Sequence, residues 1–222
     1  MKKAVVLLSG GLDSSTCLAI ATQQGYECHT IAFDYGQRHR AELNAAARIS
    51  EHFHAKSHRV VKVGMDVLGG SSLTNEDVDL PAPTTVGDTQ VPSTYVPARN
   101  TIFLSIALGL AEVLQAQRIF IGIHYVDASN YPDCSPQFLQ AFQQLAQEAT
   151  ATEQQVVIEA PLVEMSKAQI IKTAHELGVP LATTVSCYGA DATGRACGKC
   201  ESCSIRRQGF ADAGLVDQTL YT

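Results

Sequence analysis

The stretch 4-AVVLLSGGLDSSTCLAIATQQG-25 passes from five apolar residues into a glycine pair, a carboxylate and a row of hydroxyls, and then into a helical pattern. A short apolar run closed by Gly10-Gly11 predicts a strand over Ala4–Leu8, a tight turn, and a helix over Asp13–Gln24. Such a junction is an anion site, because free backbone N–H groups and the positive end of the helix dipole point at one spot. Phosphate is its natural occupant. The turn lacks both common phosphate patterns, G-x-x-x-x-G-K-[ST] and G-x-G-x-x-G. A plain turn, with Asp13 to Ser15 capping a helix, explains the same residues without a ligand.

The same alternation recurs along the chain. Strands are predicted over Ala4–Leu8, His29–Asp34, His58–Val63, Arg118–Ile123 and Val156–Pro161. Helices are predicted over Asp13–Gln24, Arg38–His54, Arg99–Gln115 and Ser166–Leu177. Leu43, Ala46, Ile49 and Phe53 form one buried stripe on the second helix, and Ser166 with Gln169 makes a capping box at the start of the last. Alternating strands and helices of this kind predict an α/β fold around a parallel sheet. Two stretches break the pattern: 64–98, rich in glycine, serine and proline, and 124–136, HYVDASNYPDCSP. Ligands bind beyond the carboxyl ends of parallel strands, so both loops border the expected site, the first either as a lid or as a segment disordered without ligand.

With 222 residues and 45% hydrophobic content the chain suits one α/β domain with a small appendage. A formal net charge of -6 gives no general attraction for nucleic acid, which is an expected non-partner. The amino-terminal apolar run is too short for a secretion signal or a membrane span, so no membrane partner is expected and the expected location is the cytoplasm. Seven cysteines suit that reducing setting. Four of them, Cys187, Cys197, Cys200 and Cys203, are spaced C-x9-C-x2-C-x2-C, which fits a closed structural zinc site of four thiolates. An iron–sulfur cluster or free thiols are the competing readings.

Other residues carry chemistry with a plainer reading beside it. Arg99 and Lys167 stand at predicted helix starts, where a cation opposes the helix dipole unless it meets an anion such as a phosphate or a substrate carboxylate. Asp34, Arg38 and His39 follow the second strand, where a solvated helix start explains them equally. Asp127, Tyr131 and Asp133 offer acceptors and an aromatic face for a purine-like ring, or else serve the turn around Pro132. His124, directly after a strand, is a candidate proton carrier, whereas His52, His54, His58 and His175 show no ligand spacing and read as surface or packing residues. Cys134 stands apart from the cysteine cluster, a mid-chain thiol near the expected pocket.

The string S-G-G-L-D-S-S, Ser9 to Ser15, resembles the pyrophosphate loop of the N-type ATP pyrophosphatases, which cut ATP between its α and β phosphates. FDYGQRHRAE at 33–42, VPARNTIFLSIA at 96–107, SNYPDC at 129–134, PLVEMSKAQI at 161–170 and the cysteine cluster follow in an order similar to the 7-cyano-7-deazaguanine synthases of queuosine biosynthesis, along essentially the whole chain. The stretch 64–92 departs from that pattern. The resemblance implies an adenine nucleotide alpha hydrolase-like (Rossmann-like) domain over 1–182 and a zinc-binding segment over 183–222. It implies ATP on Leu8, Ser9, Gly10, Gly11, Leu12, Asp13, Ser14, Ser15, Phe33 and Asp34, with Mg²⁺ accompanying the ATP at Asp13. Catalytic Asp13, Lys167 and Arg99, and Asp127, Tyr131 and Asp133 around the deazaguanine, follow on the same ground. So do the substrates 7-carboxy-7-deazaguanine and ammonia, the ligase activity, and a homodimer. A resemblance to the thiolating tRNA-modifying enzymes of the pyrophosphatase superfamily would instead imply a sulfur carrier at Cys134 and docking to a tRNA. A zinc-ribbon interaction module without catalysis would leave Ser9 to Ser15 idle.

Overall fold

The computed structural model describes residues 1–75, 77–81, 91–124, 131–151 and 155–222. Within them, five strands form one parallel sheet in the order β3-β2-β1-β4-β5: β1 (Lys3–Leu7), β2 (Glu27–Asp34), β3 (Ser57–Lys62), β4 (Arg118–Phe120) and β5 (Val157–Glu159). Six α-helices accompany them: α1 (Leu12–Gln23), α2 (Ala41–His52), α3 (Arg99–Leu114), α4 (Pro136–Glu148), α5 (Lys167–Glu176) and α6 (Glu201–Ala213). The chain first winds outward from β1 through β2 to β3. Helix α3 then carries it back past β1 to β4. The order reverses at β1, so a crevice opens there beyond the strand ends, where the glycine turn stands.

Alternation along β1 explains the layers. Ala4 and Val6 face one apolar cluster with α1, α2, α5 and the carboxyl-terminal residues; Val5 and Leu7 face the other, with α3 and α4. Both faces are closed to solvent, as a central parallel strand requires. The first cluster runs on through Cys187, Cys200, Cys203 and Phe210, so the carboxyl-terminal segment shares the main core.

Several predicted boundaries shift for physical reasons. Strands β4 and β5 stop at Phe120 and Glu159, short of the predicted Ile123 and Pro161. Beyond β4, Gly122 packs so tightly on the start of α1 that a Cβ there would lie 2.8 Å from the Ser14 nitrogen. Helix α2 begins at Ala41, not Arg38, because Arg38 donates instead to the carbonyls of Ser72 (2.6 Å), Asn75 (2.8 Å) and Val78. The Ser166–Gln169 capping box is present. Helices α4 and α6 were not among the predicted elements. Helix α4 nonetheless carries a local signal: Ser135 Oγ accepts from Phe138 N at 3.1 Å, and Pro136 follows at the first helical position. In the 64–98 connection, Leu73 and Val96 are buried in the α3 layer, while residues 76 and 82–90 lie outside the described set.

Candidate active site

Helix α1 has Gly11 at its N-cap and no side-chain cap of its own, so N–H groups of its first turn beyond Leu12 remain available to an anion. The turn before it is held by short contacts. Ser14 Oγ accepts from Ser9 N (3.1 Å), and Ser15 Oγ donates to the Gly11 carbonyl (2.7 Å). Gly10 has φ 84°, and a Cβ there would sit 2.3 Å from the Glu42 carbonyl, so only glycine lets the turn pass under α2. Gly10 and Ser15 therefore shape the turn from behind, and Ser9, Gly11, Leu12, Asp13 and Ser14 line the cavity in front. The carboxyl-terminal segment closes the same turn: Val185 N donates to the Gly10 carbonyl (2.9 Å), and Leu12 N donates to Ser186 Oγ (3.3 Å). Ser186 was missed by sequence reasoning, because nothing local links it to a turn so distant in the chain.

Asp13 and Lys167, predicted from separate motifs, meet. Lys167 Nζ donates to both Asp13 carboxylate oxygens at 2.8 Å, and His124 Nε2 lies 3.1 Å from that ammonium and 3.4 Å from Asp13 Oδ2. Burial works against the Asp13 charge, but Lys167 and His124 outweigh it and hold the carboxyl well below the usual carboxylate range. His124 Nδ1 is buried with no hydrogen-bond partner among the described residues. Lys167 reaches the site because α6 approaches α5 at Gly209, where a Cβ would lie 2.5 Å from Lys167 Cγ.

The cavity spans about 1120 Å³, more than the roughly 300–1,000 Å³ of a pocket for one small ligand. Its lining also includes Phe33 stacked on Phe103 (3.9 Å between centroids), with Tyr35, Gln37, Glu42 and Arg99. Arg99 lies against the Tyr35 ring, 5.9 Å from its centroid. Burial opposes its charge, yet Tyr35, Tyr131 and Asp133 hold the guanidinium firmly protonated. Gln37 Nε2 donates to Glu42 Oε1 (2.9 Å) and to the Phe33 carbonyl (3.1 Å). Burial pushes the Glu42 carboxyl up to about 7, against the opposing pull of Arg99 and that hydrogen bond.

Two expected ligand residues stand elsewhere, Asp34 and Asp133. Asp34 is absent from the cavity lining and pairs with Arg40 at 3.2 Å. Asp133 is buried, and its carboxylate accepts from Asn100 N (3.0 Å), fixing the start of α3 instead of facing the cavity. Asp127 lies outside the described residues. Tyr131 does line the cavity, with its hydroxyl 2.6 Å from Thr94 Oγ1. Cys134 is buried, with Asn100 Nδ2 3.3 Å from its sulfur; burial and Asp133 push its thiol up to about 12, which makes it a poor sulfur nucleophile. His39 Nε2 donates to the Cys187 carbonyl at 2.8 Å.

The sulfur atoms of Cys187, Cys197, Cys200 and Cys203 all lie within 4.8 Å of one another. A tetrahedral ion with bonds of ~2.3 Å sets its thiolates about 3.8 Å apart, so the four need only close slightly. Backbone N–H groups of Gly189 (3.3 Å) and Cys197 (3.2 Å) already point at Cys187 Sγ, as they do toward a charged sulfur. The cluster can therefore bind a metal ion. No described helix is long and apolar enough to cross a membrane.

The family model described as "Queuosine biosynthesis protein QueC" matches residues 3–214. A 7-cyano-7-deazaguanine synthase of Alcanivorax borkumensis is 58% identical over 224 residues, covering 100% of both chains. That of Hydrogenovibrio crunogenus is 56% identical over 224 residues, covering 100% of this chain and 96% of its own. Among solved structures, an NMN synthetase from Francisella tularensis superimposes with a TM-score of 0.52 at 13% identity, over 97% of this chain and 78% of that one, a likeness of fold alone.

Proposed function

The chain belongs to the queuosine biosynthesis protein QueC family, and from that premise we propose that it is an ATP-dependent carbon–nitrogen ligase converting 7-carboxy-7-deazaguanine and ammonia to 7-cyano-7-deazaguanine. One observation supports this reading most: an uncapped helix start beside the Asp13–Lys167 pair opens into a cavity with room for a nucleotide and a second ring.

Making a nitrile from an acid removes two waters, and each departing oxygen must become a leaving group. The acid oxygen first attacks the α phosphate of ATP, releasing pyrophosphate into the turn at Ser9–Ser14. Ammonia then displaces AMP and loses a proton, giving the amide. The amide oxygen is adenylated in turn by a second ATP with release of pyrophosphate, and loss of both nitrogen protons and of AMP leaves the nitrile. Only one S-G-G-x-D-S turn is present in the sequence, so both activations use it in succession. In this reading Lys167 swings from Asp13 to the phosphates, Arg99 offsets charge on the ring side, and His124 takes protons.

The four cysteines would hold zinc as a structural link, and no chemical step passes through it. Mg²⁺ enters with ATP. Residues 1–182 supply the nucleotide domain and 183–222 the zinc-binding segment. The enzyme works in the cytoplasm as a homodimer, the latter open to test by light scattering.

The deciding assay follows nucleotide products by chromatography. Turnover should give AMP and pyrophosphate, two AMP per nitrile from the acid and one from synthetic 7-amido-7-deazaguanine without ammonia. Asp13→Ala should stop both halves. ADP as the product, or an inert amide, would overturn the scheme.

A further inference from the structure

Helix α2, which passes over the glycine turn, brings to the cavity an acceptor that the proposed chemistry does not use. Glu42, in the first turn of α2, lines the cavity; one of its oxygens is held by Gln37 Nε2, and the other has no hydrogen-bond partner among the described residues. Gln37 is itself fixed at both ends, since its oxygen accepts from Tyr35 N at 2.7 Å. The carboxylate is thus oriented, in a way that a floppy surface glutamate is not. Arg99 lines the same cavity, near enough to pull on the Glu42 charge, yet the two form no ion pair. A free carboxylate oxygen on Glu42 and the guanidinium of Arg99, which Tyr35 holds in place through one hydrogen bond and which has further N–H donors, face one compartment.

A carboxylate accepts only, and a guanidinium donates only. Their pairing matches a ring edge that presents two adjacent N–H donors beside a carbonyl oxygen. A guanine-type edge is that pattern: the 2-amino group, N1–H and O6. Adenine presents its one amino donor between ring acceptors, which a carboxylate would repel. Of the acidic residues that sequence reasoning offered for this task, Asp133 is committed to the start of α3, and Asp127 lies outside the described residues.

We infer that Glu42 reads the 2-amino and N1–H groups of the deazaguanine ring, with Arg99 on its O6, and so sets the specificity of the ring compartment. This rests on the ligase reading above and names the residue that selects its substrate.

The test compares AMP release from 7-carboxy-7-deazaguanine and from the analogue lacking the 2-amino group, in wild type and Glu42→Gln. Affinity for a non-hydrolysable ATP analogue is measured alongside by calorimetry. Wild type should prefer the amino substrate by at least about thirtyfold in kcat/KM, because the analogue leaves a buried acceptor unpaired. Glu42→Gln presents an amide N–H to the ring N1–H; kcat/KM should fall at least about tenfold, mostly through KM, and the preference should shrink to about threefold or less. Affinity for the ATP analogue should stay within about threefold of wild type. A variant that keeps the preference, or one that weakens the ATP analogue instead, overturns the inference and in the second case gives Glu42 to the nucleotide. Equal wild-type rates on the two substrates overturn it with no variant needed. If wild type releases no AMP with the acid, the ligase reading falls and takes this inference with it, and that outcome is seen before any variant is compared.

Discussion

A buried carboxylate without an ion-pair partner weakens the folded state, and Glu42 is such a group. Its carboxyl titrates near 7 in the folded protein against 4.5 for the free group. Between those values the folded chain keeps a proton that the unfolded chain has released, so stability falls as pH rises through that window. The full cost, on the order of 2–3 kcal/mol, is present above pH 7 and absent below about 4.5. Glu42→Gln should therefore stabilise the protein by roughly 1–3 kcal/mol at pH 8 and leave it nearly unchanged at pH 4.5, as urea unfolding at the two values would report. The same group escaped sequence reasoning, although it lies in the FDYGQRHRAE motif. Its importance comes from Arg99 and Gln37 around it, and Arg99 arrives from a remote helix. The glycine turn was legible because all its parts are contiguous. Asp133 was misread because a loop aspartate serves a ligand or a helix start with the same chemistry, and only the position of Asn100 decides between them.

At the level of elements, the contact between the end of β4 and the start of α1 holds the phosphate turn in place. A Cβ on Gly122 would meet backbone on the far side, 2.8 Å from Ser14 N and 2.9 Å from the Asp13 carbonyl carbon. Gly122→Ala should cost about 1–3 kcal/mol and lower kcat/KM at least about tenfold, since neither backbone can give way without moving Asp13. Gly109 in α3 has nothing within 4 Å of its added Cβ, and Gly109→Ala should stabilise by about 0.5–1 kcal/mol with activity intact. Thermal melts and AMP release on the pair would check both. The long periodic elements were legible: β1, β2, β3, α1, α3 and α5 stand within a few residues of expectation. The misses have causes beyond periodicity. Helix α2 is shortened by the side chain of Arg38, which holds the 72–78 carbonyls, and α6 lies where closely spaced cysteines mask any apolar stripe.

For the whole molecule, the cysteine cluster and the main core are one packing unit, because Cys187, Cys200 and Cys203 sit in the same apolar cluster as Ala4, Val6 and Leu8. Removing the ion with a strong chelator should lower the melting temperature by ~10 °C or more and speed amide exchange across 185–222, with zinc restoring both. Metal analysis should find about one zinc per chain; an iron–sulfur absorbance would correct the ion. The cysteine spacing was legible, but the contact of the tail with the phosphate turn was not, since it rests on two long-range bonds, Val185 N to the Gly10 carbonyl and Leu12 N to Ser186 Oγ. Those two bonds also order events in time. The ribosome makes the glycine turn well before the segment that closes it, so a nascent chain that has not yet emitted Val185 carries a turn lacking both bonds. Unfinished chains should bind ATP weakly; stalled chains ending at Ala182 would show it by failing to retain a fluorescent ATP analogue that full-length chains hold.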